Sequence, residues 1–312
     1  MSHSIELAGF EGNNPVAFLA ALGTFRTLTL AWPDANMRLS WHLHGAWHPM
    51  LHATRPLQEA SLVETLHTEL QHMKGHPALA LGDNLGVPPE VFYEYVQQAQ
   101  AAASLGDHRW ADFAAAFACE CTTTRDSKKQ QIVQDTDLRT MSGAGHQDFL
   151  AFARNIVHNT TPYHLEKAIF QPWQYDDPVE KQTMRWDPMD DIRYALRWRD
   201  PSGDPVRKKR GTVLGANRLA IEGLPLLPTM PVGSALRTTS FTGQGSRDMF
   251  WTWPIWQALL PLDVVRSLLA LRELQLPEPP RSLLIRMGIV EINRSQRLTV
   301  GKFRNFAPAA SV

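Results

Sequence analysis

The chain has 312 residues, 44% hydrophobic and 20% charged, which is enough to bury a sizeable core and excludes a disordered or fibrous polymer. Lys+Arg and Asp+Glu both number 31, but residues 1–100 carry 4 cations against 9 anions, 101–200 carry 12 against 15, and 201–312 carry 15 against 7. No run of about 18 apolar residues exists, and the opening MSHSIELAGFEGNN has neither a basic nor an apolar leader region, so we expect a cytoplasmic chain that does not enter a membrane. The uneven charge suits one anion-facing end, since phosphate neutralisation depends on local charge, but it equally suits two halves whose charges lie side by side.

The chain opens as strand, turn and helix. SIEL alternates, AGFEGNN is a Gly/Asn turn, and Asn14 is placed to cap a helix whose first position is Pro15, followed by VAFLAALGTFRTLTL. Backbone N–H groups at that helix start suit a phosphate, and ordinary capping accounts for them as well. In NMRLSWHLHGAWHPMLH, Met37, Leu39, Trp41 and Leu43 alternate with polar residues, which predicts a half-buried strand; His48 and His52 follow at helical spacing. His42, His44, His48 and His52 raise a metal site, but no carboxylate or thiolate lies nearby in sequence, and no metal or other cofactor is expected.

Residues 57–121 read as helices that begin after prolines, with stripes of Leu, Met and aromatic residues taken as core. Cys119 and Cys121, the only cysteines, fall in FACEC at the end of this run; on a helix their side chains diverge, so no disulfide is expected. Residues 121–147 are polar and contain Arg125, Lys128, Lys129 and Arg139. A loop of this length is functional, becoming ordered against a phosphate backbone or a partner, or it is a surface loop without contacts. Two helices, HQDFLAFARNIVHN and YHLEKAIFQPW, come next. After residue 182 the pattern turns to strands: IRYALRW, a short helix in GANRLAIEGL, strands in ALRTTSFT and MFWTWPIW, an amphipathic helix from Pro261, and a terminal hairpin turning near NRSQ.

The expected fold class is therefore α+β. We place a mainly helical region over 1–121, a polar basic loop or linker over 122–146, and a mixed region of helix and antiparallel strand over 147–312.

Catalytic signatures are sparse. Gly301-Lys302 lacks the remainder of a phosphate loop, Gly243-Gln244-Gly245-Ser246 has the wrong order for a nucleophile elbow, and HNTTPYH lacks a zincin glutamate. Asp187, Asp190 and Asp191 are the best acidic cluster. They suit Mg²⁺-dependent phosphodiester cleavage, with His42 and His44 as further ligands, or they close turns. The basic residues are more suggestive. Arg197 and Arg199 share a strand face, Arg207, Lys208, Lys209 and Arg210 follow, and Arg294, Arg297, Lys302 and Arg304 cluster at the end. Together they form a plausible phosphate track, and tryptophans in this half (Trp173, Trp186, Trp198, Trp251, Trp253, Trp256) are candidate stacking platforms or core.

The opening GFEGNNPVAFLAALGTFRTL resembles that of subtype-specific proteins from type I CRISPR loci. The blocks FARNIVHNTTPYHLEKAIFQPWQYDDP, RWDPMDDIRYALRWRDPS, GANRLAIEGLPLLP and LTVGKFRNF are similar to those of a small protein found with the type I-G (formerly I-U) subtype. This resemblance implies a large-subunit-like or accessory component of an RNA-guided surveillance complex in antiviral defence. Its partners would be other effector subunits, crRNA, target DNA and the helicase-nuclease, with specificity resting on RNA–DNA pairing. The chain is short for a complete large subunit. No individual contact transfers from the family; Arg125, Lys128, Lys129, Arg197, Arg199, Arg207, Lys208, Lys209, Arg210, Arg294, Arg297, Lys302 and Arg304 are nucleic-acid candidates on charge alone. We expect a non-catalytic subunit, with a metal-dependent nuclease and a pure protein-interaction module as the competing readings.

Overall fold

The computed structural model describes residues 3–141, 147–179, 181–189, 211–243, 248–300 and 303–312. In chain order these form β1 (His3–Glu6), α1 (Pro15–Ala31), β2 (Arg38–His44), β3 (Ala46–Ala53), α2 (Glu59–Gln71), α3 (Pro89–Ser104) and α4 (Arg109–Phe117). The hairpin β4 (Ala118–Arg125) and β5 (Gln131–Asp135) comes next, then α5 (Phe149–Asn159), α6 (Pro162–Phe170) and α7 (Leu214–Gly223). The remainder holds β6 (Thr229–Val232), β7 (Ala235–Thr238), β8 (Phe241–Thr242), β9 (Phe250–Trp256), α8 (Leu262–Leu269), α9 (Arg281–Arg286), β10 (Ile289–Val300), β11 (Phe303–Phe306) and β12 (Ala310–Ser311). Helices dominate the first part and antiparallel sheet the last, which is the expected α+β class. Among the described residues no helix is long and apolar enough to cross a membrane.

The opening forms as its residues suggest. Asn14 stays extended (φ −93°, ψ 124°) while its side-chain oxygen accepts from the N–H of Val16 at 2.9 Å and Ala17 at 3.3 Å. Because α1 is apolar around its whole circumference, it is buried from Pro15 to Leu28 and lies against α7, which is buried along its full length. Phe18 of α1 stacks on Trp41 of β2 and Trp253 of β9, and Trp253 and Trp256 donate their indole N–H groups to Gly12 and Leu39 carbonyls. One core thus joins the helical part to the strand-rich part.

Two sheets frame that core. One has the order β1-β3-β2; the other runs β11-β10-β9-β8 with β12 beside β10.

Three sequence expectations are corrected. His48 and His52 lie on β3, not a helix: Gly45 (φ 75°) turns β2 back on itself, and Pro49, Leu51 and Ala53 are buried with the period of two that a strand imposes. Cys119 and Cys121 lie on β4, where a register shift between Ala118 and Thr123 brings the two sulfurs to 2.8 Å as free thiols. NRSQ makes no turn. β10 continues straight through it, since Asn293 and Ser295 are buried and bond to the carbonyls of Gly12 and Ala307, so polar side chains that suit a turn are satisfied inside a sheet.

Candidate nucleic-acid interface

The polar segment after residue 121 is a hairpin through Asp135. Thr123, Thr124 and Arg125 of β4 pair with Val133, Ile132 and Gln131 of β5, and Thr122 and Val133 are buried. At the tip, Asp126 accepts from the N–H of Lys128 at 2.9 Å and of Gln130 at 2.8 Å, and Lys129 takes the left-handed conformation (φ 66°). This turn is held by its own hydrogen bonds and presents Arg125, Lys128 and Lys129 to solvent.

The base of the same hairpin opens onto a cavity of about 460 Å³. Its far wall is β10 with β11, where Thr299 and Arg304 are directly opposed across the strands and Arg297 lies two residues along. Side chains two apart on a strand share a face, so the antiparallel pairing alone brings Arg297, Thr299 and Arg304 together. Arg139, in the turn after β5, completes a group of three guanidiniums.

Two carboxylates answer them. Arg139 grips Asp135 through Nε and Nη2, both at 2.9 Å, and Arg297 donates to the carbonyl of Asp137 at 2.8 Å and to its carboxylate at 3.0 Å. Burial raises the Asp135 carboxyl, opposed by the charges of Arg139 and Arg304. Arg304 is the odd cation: among the described residues its guanidinium makes one long hydrogen bond, 3.5 Å to the carbonyl of Arg139. Burial first, and then the charges of Arg297 and Arg139, lower its pKa, opposed by the charges of Asp135 and Asp137. Arg297 Nε and Thr299 Oγ1 are buried and have no hydrogen-bond partner among the described residues.

The remaining candidates are distributed as follows. Arg294 is a structural group, contrary to expectation: its guanidinium donates to Thr252 Oγ1 and to the carbonyls of Leu274, Leu276 and Pro277 at 2.6–3.3 Å, tying β10 to the segment before α9, and burial lowers its pKa. Arg197, Arg199, Arg207, Lys208, Lys209, Arg210 and Lys302 lie outside the described residues, as do Asp190, Asp191 and Trp198. Asp187 is buried, accepting from the Asn14 side chain at 3.2 Å and from the N–H of Met189 at 2.8 Å; this closes the helix start where an anion was considered. Trp186, Trp251, Trp253 and Trp256 are fully buried, and base stacking on them is ruled out.

The histidines are dispersed as well. His42 faces His48 across the β2–β3 ladder, His48 bonds to the Phe10 carbonyl at 2.9 Å, His52 to Ser40 at 2.9 Å, and His44 is near Glu6. Among the described residues no three His, Cys, Asp or Glu side chains gather as a metal ion would need.

Arg139, Asp135, Asp137 and Thr299 are the site residues that charge reading left unassigned. Asp135 and Arg139 are four apart in sequence, but the spacing signals a pair only on a helix, and here a strand end and turn provide it. No protein-family model, curated protein or solved structure matches this chain.

Proposed function

We propose that this chain is a non-catalytic, nucleic-acid-binding subunit of an RNA-guided effector complex of the type I CRISPR kind that its sequence resembles. The supporting observation is that one hairpin carries both features: three exposed cations at the β4–β5 tip and, along the same strands, the wall of a cavity lined by three arginines and two aspartates. Exposed cations on a rigid turn suit phosphate contacts that position nucleic acid without reading its bases. The +8 excess of the final third, 15 cations against 7 anions, supports the same reading.

A protein-interaction module is the second reading. What favours it is that Arg294 and Arg297 are engaged internally, so part of the basic excess answers the fold itself. The nuclease reading is weakened by Asp187, whose carboxylate is committed to Asn14 and Met189.

Co-expression of the tagged chain with the other subunits and guide RNA of a type I-G complex tests the proposal. The RNA and neighbouring subunits should co-purify with the chain, and the isolated chain with Mg²⁺ should leave labelled DNA and RNA intact. Recovery of the chain free of RNA would favour the interaction module if other subunits still co-purify. Cleavage lost in Asp190→Ala would favour the nuclease.

A further inference from the structure

The cavity between the two hairpins carries more positive charge and more donors than its own residues satisfy. Arg139, Arg297 and Arg304 face Asp135 and Asp137, leaving one cation in excess. That excess lies largely on Arg304, while Arg297 Nε and Thr299 Oγ1 are buried donors that find no acceptor among the described residues, Arg297 itself being only 6% exposed. Burying a charge or a donor without a partner is costly, so the residues are arranged for an acceptor that the described residues do not supply. At about 460 Å³ the space is far larger than a simple anion and falls among small-molecule sites. Leu236, Met249 and Ile132 offer apolar wall for a sugar or base, and Asp137 offers acceptor oxygen to a hydroxyl or amino group.

We propose that this pocket holds one nucleotide, its phosphate seated against Arg304 and Thr299 with Arg297 behind them. The inference deepens the nucleic-acid reading by naming the pocket and the group it takes. The same chemistry is available from a chain-end phosphomonoester, an internal phosphodiester or a free mononucleotide.

Binding to the full chain separates these sources. The probes are a 3′-labelled single-stranded RNA with either a 5′-phosphate or a 5′-hydroxyl, read by anisotropy, and AMP, read by thermal stabilisation. The variants are Arg304→Gln, Thr299→Val and the triple tip variant Arg125→Gln/Lys128→Gln/Lys129→Gln. Thr299→Val removes a hydroxyl that has no partner among the described residues, so it should fold at least as well as the parent and still lose affinity. Both pocket variants should weaken phosphate binding, Arg304→Gln by roughly tenfold or more, while the tip variant weakens both RNAs alike. A preference for the 5′-phosphate that disappears in Arg304→Gln assigns the pocket to a chain end. Pocket-dependent binding without that preference assigns it to an internal phosphate. AMP stabilisation lost in Arg304→Gln, with no RNA binding, supports the pocket and overturns the nucleic-acid subunit. RNA binding that depends on the tip and is indifferent to Arg304 and Thr299 overturns the pocket and leaves the subunit standing. No binding of any probe overturns both.

Discussion

Gly23 of α1 and Gly223 of α7 meet backbone to backbone at the centre of the molecule. A Cβ on Gly23 would fall inside the carbonyl oxygen of Leu219, and one on Gly223 inside that of Leu19. The close crossing buries both helices together, their few polar side chains included, in the core that joins the helical part to the strand-rich part.

Gly23→Ala therefore places a methyl group on rigid backbone that no rotamer change can clear. Overpacking in cores costs about 1–3 kcal/mol, and a clash with backbone belongs at or above the top of that range. Urea denaturation should show a loss of at least about 3 kcal/mol, against under about 1 kcal/mol for Gly75→Asn, where φ is 71° and a side chain meets open space.

A buried ionic network stabilises the same crossing. Glu222 of α7 receives Arg218 at 2.9 Å and Arg26 of α1 at 3.5 Å, and Arg26 also reaches Asp112 of α4 at 2.5 Å. Glu222→Gln keeps the volume but leaves two guanidiniums, each 1% exposed, short of charge. The expected loss is about 3–5 kcal/mol by chemical denaturation. Asp83→Asn, which breaks the solvent-exposed pair with Arg154, should cost less than about 1 kcal/mol.

These relationships also show what the sequence could reveal. The Asn14-Pro15 start, the helices of 57–117 and the strands around Trp251 and Trp256 are local patterns, and they formed as local rules require. The corrections share another physics. β3 and β10 hold His52, Asn293 and Ser295 because partners distant in sequence satisfy them, among them Ser40, Gly12 and Ala307. For the same reason Arg294 and Arg297, equivalent by charge and spacing, diverge: one is spent on backbone carbonyls and the other lines the pocket. Cation counting locates a basic end, but only the β10–β11 register shows which guanidiniums converge.

His52 and His67 should make stability fall in mild acid. Burial lowers both, aided for His67 by the charge of Lys74. The unfolded chain then takes up protons near pH 6.5 while the folded chain still refuses them, so stability is full above about pH 6.5 and declines as pH drops toward the folded values. Urea midpoints at pH 7.5 and 5.5, with NMR titration of the two rings, check this. A midpoint that rises on acidification, with both rings titrating above pH 6.5, would contradict it.

The adjacent thiols should react unequally. Cys121 is exposed, whereas burial first, and its hydrogen bond with Cys121 next, push the Cys119 thiol up to about 11. Because the thiolate is the nucleophile, limited maleimide at pH 7.5 should label Cys121 well ahead of Cys119 in peptide mapping, and denaturation should abolish the difference. Equal labelling of the folded protein would show that Cys119 is not held as described.

The salt dependence of single-stranded RNA binding tests the central claim most directly. With phosphate contacts at Arg125, Lys128 and Lys129, log K should fall linearly with log salt, and replacing all three by alanine should flatten the slope by roughly two units, at about 0.7 per contact on single strands. An unchanged slope and affinity in the triple variant, or no binding by the parent chain at low salt, would contradict a nucleic-acid role for this surface.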